Sequence, residues 1–228
     1  MGEPLDEAAF WANGKKYQLN PALGNFSAIP LPIHGVLVTS PLWKVTKVSA
    51  DGHSAHVTSK LEFWRYPDLM AQWPFAHEYE MTYRLADGVL EVRTTVTNLS
   101  TEAMPLVLGF HPYYRIPDIP RDEWTGHIPA RQAVVTDSRL IPTGEFKPMD
   151  LPDRFPLKGL TLDNGYRDLV RDTEGRAVFS IEAGGKKVEA LFRAQLPGRR
   201  RVGTGWPRVR LFRTDGRDHR RGEPASRR

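Results

Sequence analysis

The chain has 228 residues, no cysteine, 40% hydrophobic and 26% charged residues, and a formal net charge of +5. No apolar run reaches the roughly 18 residues that a membrane helix needs, and the acidic opening Met1–Glu7 is no secretory signal; a cytoplasmic protein is expected, without disulfides, thiolate metal sites or cysteine nucleophiles. The charge is split: residues 193–228 hold twelve arginines against Asp215, Asp218 and Glu223, a net +9, whereas residues 1–192 hold 20 basic and 24 acidic residues, a net −4.

In chain order the body reads as β. Residues 55–63, 79–85 and 89–97 alternate apolar and polar positions, the period of a half-buried strand. Asp87-Gly88 stands between the second and third of these runs, and that dipeptide predicts a two-residue hairpin because both turn positions must tolerate positive φ. Residues 104–109, 131–136, 177–182 and 187–192 are further strand candidates, the last two joined across Gly184-Gly185. Nineteen scattered prolines disfavour long helices. Many short strands with frequent turn signals predict an all-β protein, a large antiparallel β-sandwich.

The residues that could carry chemistry are few. There is no phosphate-binding glycine loop, no Gly-x-Ser-x-Gly elbow and no His-Glu-x-x-His. His53 and His56 are close in sequence, but an i, i+3 pair on a strand points to opposite faces, so no metal site is expected there. Pro105–Tyr114 stands apart: an apolar run delivers His111, followed at once by Pro112, Tyr113 and Tyr114. Proline fixes the backbone after the imidazole, the rings offer apolar faces for a sugar, and an imidazole, whose ordinary pKa is near 6.5, suits a proton donor. Trp64, Tyr66, Trp73 and Phe75 read as core aromatics before they read as a sugar platform. Glu62, Glu78 and Glu80 read as solvated strand-face carboxylates before they read as bases.

Taken together, Phe110-His111-Pro112-Tyr113-Tyr114, Ile33-His34-Gly35 followed by Trp43, Leu140–Glu145 (Leu-Ile-Pro-Thr-Gly-Glu) and Leu162-Asp163-Asn164-Gly165-Tyr166 occur in the order and spacing of a known family. The sequence resembles the aldose 1-epimerases, or galactose mutarotases, with their hexose-phosphate-epimerase-like bacterial relatives, over residues 10–192. The resemblance implies a β-supersandwich and a cofactor-free acid–base reaction. It assigns His111 as general acid, and His34 and Asp163 as residues that bind sugar oxygens. By local rules alone, His34 is a loop residue and Asp163 a turn residue. The expected partner is a hexose, free or phosphorylated, the acidic body speaking mildly against the phosphate; no nucleic acid, no membrane and no metal are expected.

Two parts of the family pattern are missing. The base is expected in a C-terminal Phe-Glu-Pro strand that follows an apolar strand, and the chain instead runs through arginine-rich sequence from Arg193. No arginine precedes Arg65, where an upstream substrate arginine is expected. Residues 1–192 are therefore expected to form an incomplete mutarotase-like domain, and 193–228 a non-native or disordered tail. Arginine, glycine and proline codons are rich in G and C, as a GC-rich gene gives when read out of frame. Read one nucleotide on with permitted codons, Gln195–Gly205 yields Asn-Phe-Pro-Val-Ala-Val-Val-Trp-Ala-Pro-Ala, and Leu211–Asp215 yields Cys-Phe-Glu-Pro-Met. Both missing features return in one frame, so the expectation is a frameshifted tail and an impaired enzyme. A non-catalytic carbohydrate-binding module is the alternative. Nucleic-acid binding through the tail is disfavoured, since Trp206 and Phe212 are its only aromatics.

Overall fold

The computed structural model describes residues 8–22, 34–38 and 40–193. The expected tail therefore lies outside the described residues, apart from Arg193. The described residues form thirteen strands: β1 (Ala9–Ala12), β2 (Lys15–Gln18), β3 (Lys44–Ala50), β4 (Ser54–Glu62), β5 (His77–Ala86), β6 (Val89–Asn98), β7 (Thr125–His127), β8 (Ala130–Thr136), β9 (Pro142–Pro148), β10 (Phe155–Pro156), β11 (Tyr166–Leu169), β12 (Arg176–Ala183) and β13 (Lys186–Arg193). One α-helix, α1 (Pro67–Gln72), is short and starts on a proline, where the missing N–H costs nothing. The sheets are β1-β2, β3-β4-β5-β6, β10-β7-β12-β13 and β11-β8-β9. Every registered strand pair is antiparallel.

The turn chemistry explains the hairpins. Asp87 and Gly88 have φ of 50° and 73°, so Ala86 pairs directly with Val89 across a two-residue turn. Positive φ at both positions matches the right-handed twist of the strands it joins. Gly184 and Gly185 close β12 onto β13 in the same way, pairing Ala183 with Lys186. Asn13-Gly14 makes a third such turn, between β1 and β2, which the strand patterning above does not single out. One expected strand is absent. Residues 104–109 have no strand pairing among the described residues, and Val107 and Leu108 are exposed. An apolar segment becomes a strand only where a neighbouring edge accepts its N–H and C=O groups.

The described residues divide into two compact units, one holding residues up to Gly109 together with Val135–Glu145, the other holding Phe110–Val134 and the chain from Phe146. In the first, Leu61, Phe63, Phe75 and His77 are fully buried. Phe10 stacks between Tyr17 and Trp73, and Tyr17 and Trp73 both contact Phe75. The buried Gln72 side chain accepts from the Asn20 amide and donates to the Asn20 carbonyl, at 2.8 and 2.7 Å. In the second unit, Ala177, Phe179 and Ile181 of β12 point into a core with Ile116, Trp124, Phe155, Leu157, Leu162 and Tyr166. The Arg121 guanidinium ties that core's edge by donating to the carbonyls of Leu157 and Leu160.

His77 is the costly member of the first core. Its Nδ1 lies 2.6 Å from the Phe75 carbonyl, its Nε2 is buried without a hydrogen bond, and its ring stacks on Phe63 at 4.1 Å. Burial disfavours the imidazolium and pushes its pKa below the ordinary value, outweighing the carbonyl contact. The unfolded chain then binds a proton that the folded chain refuses, so stability is lost as pH falls below about 6.5. Thermal denaturation between pH 7.5 and 5 should show a falling Tm in the native sequence and a flatter profile in His77→Phe. Equal slopes would show that His77 is not the group responsible.

Candidate functional site

Asp163 is positioned by its neighbours on both sides. Leu162 and Tyr166 are buried in the second unit's core, and Asp163 sits half-buried between these anchors. The Gly165 carbonyl accepts from the Val134 amide at 2.8 Å, which ties the turn to β8. A Cβ on Gly165 would lie 3.1 Å from Val134 Cγ2, so a side chain there would press on Val134. Burial raises the Tyr166 phenol to a pKa of about 12, so its hydroxyl stays a neutral donor in the accessible pH range. Arg167, next in the chain, lies 3.9 Å over the Phe146 ring, a cation–π contact. The motif reading misses Arg167 and Phe146, because nothing in the spacing of the two residues announces the contact.

His111 is set in the same unit by a different device. Tyr114 packs against the core and Ile116 lies within it, so the chain is anchored three and five residues beyond the imidazole. Burial also raises the Tyr114 phenol pKa. His111 itself is half-buried, and its ring centroid lies 5.2 Å from that of Tyr113, which is 70% exposed. The two tyrosines thus divide the work: one holds the backbone, and the other leaves its ring open beside the imidazole. A half-exposed imidazole on a proline-fixed backbone can exchange a proton with a bound molecule.

His34 belongs to the other unit. It is half-buried and adopts φ of 62°, followed by Gly35 at 66°, two consecutive left-handed residues that turn the chain sharply. Ile33 and the prolines before it lie outside the described residues. His111 and Asp163 are thus held on one unit, and His34 on the other.

The remaining candidates behave as ordinary surface and core groups. Glu78 pairs with Lys60 at 2.9 Å and Glu62 with Arg65 at 2.7 Å, on the polar face of the β3–β6 sheet. Phe75 is core, while Trp64 is exposed beneath the Arg65 guanidinium. His53 is exposed and its amide donates to Asp51 in a turn, and His56 lies within β4. A separate open depression of about 240 Å³ is lined by His127, Asp153, Arg154, Ser180, Lys187 and Glu189. His127 lies against Asp153 and Lys187 against Glu189 within it, and Arg154 pairs with Glu182 outside the lining.

The family model for aldose 1-epimerase matches residues 5–198. The chain belongs to the aldose 1-epimerase family. Among solved structures it is similar to a galactose mutarotase-like protein from Clostridium acetobutylicum, with 23% identity and a TM-score of 0.68 over 79% of this chain and 56% of that one. A GalM/aldose epimerase homologue from C. elegans gives 17% identity and a TM-score of 0.57, over 80% of this chain and 56% of the other. Galactose 1-epimerase from Lactobacillus acidophilus gives 12% and 0.55, over 80% and 56%. At these identities the likeness is one of fold, and it bears out the antiparallel β-sandwich architecture. The matched part spans about 56% of each of these three structures. Among the described residues, no helix is long and apolar enough to cross a membrane.

The close approach at Gly165 gives a direct test of how Asp163 is held. Gly165→Ala should cost about 1–3 kcal/mol through overpacking against Val134, measured by urea denaturation. Val134→Ala should recover part of that loss in the double variant. Additive losses would show that the contact does not fix the turn.

Proposed function

We propose that the protein is built for interconversion of the α and β anomers of a hexose. The observation that carries this reading is His111, a half-exposed imidazole fixed beside an open tyrosine ring in a chain of the aldose 1-epimerase family. His111 is the general acid. A carboxylate base removes the proton from the anomeric hydroxyl, the O1–C1 bond becomes a carbonyl, and the C1–O5 bond breaks. The ring oxygen takes its proton from the imidazolium. Rotation about C1–C2 and the reverse steps close the ring to the other anomer. His34 and Asp163 accept or donate hydrogen bonds to sugar oxygens during this cycle. Ring opening and reclosure need only proton transfers, so the reaction calls for no cofactor or redox partner.

The chain as written lacks the base; a CGA codon for Arg213, read one nucleotide on, would supply it as a glutamate. Loss of a general base costs on the order of 10²–10⁴-fold in rate. Polarimetry with α-D-glucose or α-D-galactose should therefore find the encoded chain nearly inactive and a shifted-frame version active. In that active version His111→Ala should remove most of the rate, by about 10²-fold or more. Unchanged mutarotation would end the assignment of His111 as acid. The frame itself is read from the gene: an Arg213 codon other than CGA removes the recovered Phe-Glu pair and ends the idea.

The second reading is a carbohydrate-binding module without turnover, favoured by the absence of a Phe-Glu-Pro strand in the written sequence. Sugar-dependent tryptophan fluorescence without any change in optical rotation, in both versions of the chain, would select it.

A further inference from the structure

Two Asn-Gly dipeptides lie among the described residues: Asn13-Gly14 between β1 and β2, and Asn164-Gly165 in the turn that carries Asp163. Asparagine before glycine is unusually open to attack by its own backbone, because no side chain shields the glycine nitrogen or restricts its approach. The two sites are held differently. The Asn13 carboxamide donates to the Ala103 carbonyl at 2.9 Å and to the Glu102 carboxylate at 3.3 Å, so closing onto the Gly14 nitrogen means giving up both bonds. Among the described residues, neither the Asn164 carboxamide nor the Gly165 N–H makes a hydrogen bond. Asn164 is half-buried, and nothing of this kind restrains its side chain.

We propose that Asn164 is a site of spontaneous deamidation, and that its isoaspartate product resets the turn that holds Asp163. The Gly165 nitrogen gives its proton to a solvent base and bonds to Cγ of Asn164. The Cγ–Nδ2 bond breaks, and Nδ2 takes a proton and leaves as ammonia. Water then opens the cyclic imide at either carbonyl. Cleavage of the new N–Cγ bond leaves aspartate; cleavage of the original peptide C–N bond leaves isoaspartate, whose main chain runs through the former side chain. The net change is one water consumed, one ammonia released and one carboxylate gained, with no oxidant or reductant. Isoaspartate lengthens the main chain by one methylene. Leu162 and Tyr166 are locked in the core on either side, so the added length falls on residues 163–165. Gly165 is confined: it is buried, its carbonyl accepts from the Val134 amide at 2.8 Å, and a Cβ there would already meet Val134 Cγ2 at 3.1 Å. The displacement passes to Asp163, which also gains a charged neighbour. Any effect on a sugar rests on the role proposed for Asp163 above; the modification itself does not.

The test uses the full encoded chain, aged in mildly alkaline and in neutral buffer, with and without urea. Peptide mass mapping reads deamidation, and methyl transfer by an isoaspartyl methyltransferase reads isoaspartate. In the folded chain the Asn164 peptide should deamidate at least several-fold faster than the Asn13 peptide, and faster in alkali, where the attacking nitrogen loses its proton more readily. In urea the two rates should converge, since the hydrogen bonds at Asn13 are gone. Asn164→Gln should abolish the change at this peptide, because closure would then need a larger ring. Folded-state rates that are equal, or faster at Asn13, would overturn the inference. Ion exchange isolates the aged chain, and its isoaspartate fraction should melt below fresh protein. Asn164→Asp, which adds the charge without the methylene, should melt close to fresh protein. An isoaspartate fraction that melts with fresh protein would overturn the resetting of the turn. None of these readouts involves a sugar, so an inactive epimerase leaves the modification standing, and ageing at Asn13 instead leaves the epimerase reading intact.

Discussion

A sheet with one apolar face must bury it, and the β3–β6 sheet is where this requirement presses hardest. Its strands are bound by a full antiparallel ladder, and its hairpin turns are of the right kind, so its backbone is satisfied locally. What local structure cannot supply is a second layer. At the end near Leu61 and His77 the apolar side chains are enclosed, and along the rest of the same face they meet water. The contrast lies within single strands, whose apolar patterning is the same at both ends.

The second unit meets the same requirement in full, and this gives its functional residues their footing. The β12 side chains Ala177, Phe179 and Ile181 enter a core that also takes Leu162 and Tyr166 from either side of Asp163, and Ile116 from the segment that carries His111. Both polar residues lie close in sequence to these core side chains. Each is placed by apolar neighbours a few positions away, so the packing that stabilises the unit also sets the carboxylate and the imidazole. A site built this way is sensitive to core changes that never touch a ligand.

Much of the fold was legible in the sequence, because strand period and turn chemistry are local properties. The runs 55–63, 79–85 and 89–97 became β4, β5 and β6 within two residues at each end, and both turns singled out closed hairpins. The short strands β7, β10 and β11 have too few residues to show a period. The run 104–109 failed for the opposite reason: its pattern suits a strand, but pairing depends on an edge that lies elsewhere in the chain. His111 and Asp163 were legible as motif residues. The buried His77 and the Arg167–Phe146 contact were not, since burial and ring stacking are set by distant parts of the sequence.

Two of the three connections in the β3–β6 sheet are short, three residues between β3 and β4 and two between β5 and β6, while fourteen residues with α1 separate β4 from β5. Contacts between neighbours in sequence close quickly, because little chain entropy is lost in forming the loop. On the ribosome, chain emerges from the N-terminal end, so this meander is complete before codon 193 is decoded. Its ladder therefore stands before the last of the later strands, β13, has left the ribosome.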